Sequence, residues 1–167
     1  MLLDTRTPKG KSAKEVKAME TYTEMKDRHQ AEVNALPLAF AFSDDQLREK
    51  LAAWNITEEE AKAGAIINIG HGGFIRATDE EKVIGTFKRI QDEKRAAIEA
   101  DHDGTGYIYE MFLYELNNHE YSYTGDVSET LDALHISAEE INSNTALQNG
   151  LKAAVKTING AGDPFDE

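Results

Sequence analysis

Glu115 and His119 are the residues whose types and spacing best suit chemistry, because a carboxylate beside an imidazole fixes its tautomer, as in general bases and metal sites alike. They sit in Phe112-Leu-Tyr-Glu-Leu-Asn-Asn-His-Glu-Tyr-Ser-Tyr-Thr-Gly-Asp126. At about 100° per helical residue, Ile108, Phe112, Leu116 and His119 share one sector with Glu115 at its margin. Both polar groups therefore fall on a face that should be buried, one turn apart, where each needs a partner. Two readings stand side by side: a pair that anchors the helix, or the centre of an enzyme. No serine or threonine stands in a nucleophile-elbow context, and no second histidine lies at metal-ligand spacing from His119. No catalytic residue is assigned, and neither a metal nor a cofactor is expected.

A second candidate is Asn68-Ile-Gly-His-Gly-Gly-Phe-Ile-Arg76, whose backbone N–H groups, with His71 and Arg76, suit a phosphate or carboxylate. Tyr121 and Tyr123 would add aromatic contacts for a nucleotide. The order of a dinucleotide fingerprint is missing, since strand resumes at Phe74, and a hairpin is the favoured explanation of the glycines. Asp101-His-Asp-Gly-Thr-Gly-Tyr-Ile108 resembles the opening of an EF-hand calcium loop. Its twelfth position is Phe112 where a bidentate glutamate is needed, which favours a plain Asx and glycine turn. Gly10-Lys11-Ser12 echoes the end of a P-loop without the earlier glycine.

The elements that must position these groups are mostly helical. Tyr22, Met25, His29, Val33 and Leu36 continue a thin apolar stripe that predicts one long polar helix over residues 9–36, stopped by Pro37. Residues 38–42 alternate as a short strand, with Phe40 and Phe42 on one face. Ser43 with Gln46, Thr57 with Glu60, Thr78 with Glu81 and Ser137 with Glu140 read as helix-start capping boxes. Leu131, Leu134 and Ile136 before Ser137 repeat the grammar of Leu47, Leu51 and Ile56 before Thr57. Residues 65–69 and 74–76 flank the glycines as a hairpin. A helix follows over residues 79–100, with Val83, Ile84, Phe87, Ile90 and Ile98 inward. Another helix begins at Tyr107, residues 121–124 read as a candidate third strand, and Leu147, Leu151, Val155 and Ile158 mark a final helix.

With 167 residues and 40% apolar content the chain suits a single domain with a real core. Its expected parts are a polar N-terminal helix with a loose basic start over residues 1–36, a compact domain over 37–159, and a flexible tail over 160–167. Neither a membrane span nor a secretory signal is read, and with no cysteine a cytoplasmic location is expected. Arg6, Lys9, Lys11, Lys14 and Lys17 give residues 1–17 a net of +3 against an overall −13, leaving −16 on the rest. Such acidity repels phosphate backbones and suits a basic protein surface.

The segments 36–43, 69–76 and 112–126, followed by Thr130-Leu-Asp-Ala-Leu134, resemble a family of small, uncharacterised phage and bacterial proteins. The resemblance spans about residues 36–155 and leaves the N-terminal helix outside it, with residues 101–106 as extra loop. It implies a shared fold and an origin on a mobile element, and carries over no catalytic residue. The expected fold is α+β and helix-rich, with a small antiparallel sheet of two or three short strands and the helices after Asp79 and Tyr107 paired against it. The expected function is counter-defence: binding and occluding an immune effector of the host bacterium, such as a CRISPR nuclease, through an acidic surface. The alternatives are a binder that sequesters a signalling nucleotide and an enzyme built on Glu115 and His119.

Overall fold

The computed structural model describes residues 20–166. The expected first half of the long helix, its basic start and Gly10-Lys11-Ser12 lie outside the described residues. The described residues are helix-rich, about two-thirds helical, with a three-stranded antiparallel sheet, as the patterning leads one to expect. They divide into two compact units, one of Arg28–Glu93 and the other of residues 20–27 together with 94–166. The boundary falls inside two helices, α1 (Tyr22–Asn34) and α4 (Glu80–Ala100).

The unit Arg28–Glu93 holds the sheet. β1 (Ala39–Phe40) pairs with β3 (Gly73–Arg76), which pairs with β2 (Ile66–Gly70). The loop His71-Gly72 has φ of 51° and 77°, the two positive values that a two-residue primed turn demands. Side chains alternate across a strand, so Phe74 and Ile75 face opposite ways. Phe74 and Ala39 pack with Leu47, Leu51 and Trp54 around α2 (Asp44–Ala53), and Ile75 packs with Leu36 and Val83. α3 (Glu58–Glu60) runs through a π turn, Ala61–Ala65, into β2.

The other unit contains α5 (Tyr107–Asn118), α6 (Tyr121–Thr124), α7 (Ser128–Leu134), α8 (Ala138–Ser143) and α9 (Thr145–Ile158). α5 packs chiefly on α9, where the small residues Ala146, Gly150, Ala153 and Ala154 let Ile108, Met111 and Phe112 approach closely. That corrects the expected pairing of α5 with its predecessor, because the small residues of α9 offer a face that the large side chains of α5 approach closely. Gly104, at φ 78°, lies against the backbone of α9: a Cβ there would strike the Ala146 carbonyl, and one at Gly150 would stand 2.9 Å from Gly104 O. The 101–106 loop is thus docked. Asp101 accepts the N–H groups of Gly104, Gly106 and Ile108 at 3.1, 3.1 and 2.9 Å, so its carboxylate closes the turn. Among the described residues no group of three or more acidic or histidine side chains is placed to hold a metal ion.

Three further expectations are corrected. Residues 121–124 form a helical turn, α6, because Glu120 and Gly125 on either side take left-handed φ values of 56° and 65° and close the turn, with Gly125 N–H donating to Tyr121 O. α4 starts from a 3-10 turn, Ala77–Asp79, rather than from a Thr78 box. Ile84 and Phe87 are exposed at 53% and 37%, whereas Val83 and Ile90 are buried.

Candidate functional site

Glu115 is buried at the centre of a polar cluster in the α5 to α9 unit. The Tyr22 hydroxyl donates to its Oε1 at 2.7 Å, and Lys26 Nζ donates to the same oxygen at 3.3 Å. His119, at the end of α5, brings Nε2 to 3.5 Å from Oε2 and Nδ1 to 3.8 Å from Glu129. The buried Thr130 hydroxyl reaches Glu115 O at 3.4 Å and so ties α7 to α5. Glu110 accepts the Tyr22 backbone N–H at 3.0 Å. The pair read from the sequence is real as a neighbourhood, but its nearest partners, Tyr22 and Lys26, come from α1.

The electrostatics favour retention of protons on the phenols. Burial, and then the hydrogen bond and charge of Glu115, push the Tyr22 hydroxyl far above its ordinary range, so it remains a donor. Burial and then the charge of Glu20 push Tyr107 up to about 12. Burial and then the charge of Lys26 lower Lys94, with Glu115 opposing. Tyr22 packs edge-on to Tyr107 with centroids 5.5 Å apart, and Lys26 lies 5.3 Å from the Tyr114 ring. The carboxylate is surrounded by a phenol, an ammonium and an imidazole, an arrangement suited to holding α1 against α5.

The other sequence candidates divide between the units. His71 is exposed at the tip of the hairpin. Arg76 is engaged already: its Nε stands 2.6 Å from Asp79 Oδ2 and its guanidinium 5.3 Å from the Trp54 ring. Tyr121 is half-buried against the core, while Tyr123 is 89% exposed.

Two features escaped the sequence reading. In Arg28–Glu93, Glu93 meets His29 Nε2 at 2.8 Å, Arg28 at 2.8 Å and Arg89 at 2.7 Å, while Arg89 and Arg28 also pair with Glu32. Burial would raise Glu93, but hydrogen bonds from His29, Arg28 and Arg89 outweigh it and hold the carboxyl at about 2. Arg28 with Glu32 and Arg89 with Glu93 are visible as i,i+4 pairs; the cross-links between the helices are not. The second feature is charge segregation. Residues 96–151 hold eleven acidic side chains and no lysine or arginine. Six of the acids, Glu120, Asp126, Glu129, Asp132, Glu139 and Glu140, are exposed within residues 120–140, and Tyr123 stands in that same stretch.

Fold and site together define a helix-rich α+β protein with a small antiparallel sheet, a closed polar centre and a strongly acidic exposed stretch. The model of DUF7659, a family of unknown function, matches residues 21–157, and the chain belongs to that family. The match takes in α1, which the resemblance left outside. No curated protein and no solved structure shows significant similarity to the chain. Among the described residues, no helix is long and apolar enough to cross a membrane.

Proposed function

We propose that this protein acts by binding and occlusion, with residues 120–140 as an acidic docking surface for a basic protein partner. The observation that carries this reading is the exposed run of six acids without a lysine or arginine, with Tyr123 fully available beside them. Tyrosine is enriched at energetic centres of interfaces, and a field of one sign steers an oppositely charged partner into contact. The partner of this proposal is an immune effector of the host bacterium whose nucleic-acid channel is basic, such as a CRISPR nuclease, a reading that leans on the resemblance to phage proteins.

Enclosure of Glu115 favours anchoring over catalysis, and the pairing of Arg76 with Asp79 leaves the nucleotide-binding reading with less support. The test is a binding titration against such an effector at low and high salt. The Debye length shrinks from about 10 Å at 0.1 M to about 3 Å at 1 M, so affinity should fall steeply with salt. No binding, or binding indifferent to salt, would remove this reading.

A further inference from the structure

Residues 96–151 hold no lysine or arginine, and the basic side chains that follow, Lys152 and Lys156, stand one turn apart on α9. Both line a cavity of about 330 Å³ with Asp103, Thr105, Asn149 and Phe165. One wall is the chain's own tail. Phe165 rests edge-on against Tyr109, ring centroids 5.0 Å apart, and Lys156 Nζ donates to the Asp166 carbonyl. Asp163 accepts the Phe165 N–H at 2.9 Å, a local turn that presents the ring. Asp103, whose Oδ1 accepts the Thr105 N–H and hydroxyl at 3.0 and 2.7 Å, keeps one negative charge at the rim against the two lysines. Asn149 is fixed by donating to Asp103 O at 3.1 Å.

We infer that residues 160–166 are an internal occupant of a peptide-docking site, and that an acidic segment bearing an aromatic ring, supplied by a partner, takes their place. The tail carries that chemistry itself: Asp163, Phe165 and Asp166 in a stretch without a base, facing the two lysines of an otherwise acidic region. Its hold is light, since Phe165 remains 47% exposed. This site is basic where residues 120–140 are acidic, so it selects a different partner segment.

The experiment measures fluorescence anisotropy of a labelled peptide, Gly-Ala-Gly-Asp-Pro-Phe-Asp-Glu, against the full chain and against its Phe165→Ala variant. An internal competitor reduces apparent affinity by the fraction of open sites, so releasing it should tighten peptide binding by about tenfold. Adding Lys152→Gln and Lys156→Gln to Phe165→Ala should abolish the gain, as should replacing the peptide's phenylalanine with alanine. Phe165 is exposed, and a circular dichroism spectrum matching wild type verifies the fold. Equal binding to both chains, binding to neither, or tight binding that survives loss of both lysines would overturn the inference.

Discussion

The Tyr22 hydroxyl stands 2.7 Å from Glu115 Oε1, a buried contact between residues 93 positions apart. It links α1 to α5 at the point where Lys26 and His119 also meet the carboxylate. Removing the hydroxyl withdraws one donor from a buried charge and creates no new polar group. Tyr22→Phe should therefore lower stability by about 1–3 kcal/mol, read as a shift in the urea midpoint at constant slope. An unchanged midpoint would mean that Lys26 and His119 satisfy Glu115 without it.

The Glu93 cluster predicts a particular acid sensitivity. Its folded carboxyl is held at about 2, below its ordinary value of 4.5, so the unfolded chain binds more protons between those limits. The stabilisation is complete above the unfolded value and is lost as pH falls through 4.5 toward 2. Between pH 6 and 3, the wild-type urea midpoint should fall further than that of Glu93→Gln. Parallel losses in the two proteins would contradict the assignment.

Two glycines give opposite expectations. A Cβ at Gly104 meets the α9 backbone at a positive φ, and backbone cannot yield as a side chain can, so Gly104→Ala should destabilise by about 1–3 kcal/mol. Gly85 lies within α4 with open space around it, and Gly85→Ala should stabilise by about 0.5–1 kcal/mol. Thermal unfolding of both variants checks the pair, and a stabilised Gly104→Ala would refute the docked loop.

What was legible in the sequence is what short-range chemistry decides. Thr57 with Glu60 and Ser137 with Glu140 form complete reciprocal capping boxes. Their preceding turns also match, since Asn55 and His135 both take φ 54° and the next residues, Ile56 and Ile136, donate back to Leu51 and Leu131. Ser43 caps as expected, yet Gln46 reaches one residue further back, to the Phe42 N–H. The hairpin followed from its glycines. Tyr-Ser-Tyr-Thr reads as strand by local preference, but among the described residues no strand pairs with it. Tyr22, Lys26 and the Glu93 cross-links were invisible because nothing local couples residues so far apart in sequence.

The proposed acidic docking surface is tested most directly by inhibition of nucleic-acid cleavage by a CRISPR nuclease at low salt. Wild type is compared with a variant carrying Tyr123→Ala, Glu129→Lys and Asp132→Lys, all at exposed positions. Inhibition by wild type, with the variant folded and at least about tenfold weaker, is the predicted result, since losing a central aromatic and reversing two charges should cost 1.4 kcal/mol or more. Equal inhibition by both proteins would contradict the role of residues 120–140, and no inhibition by wild type would contradict the partner.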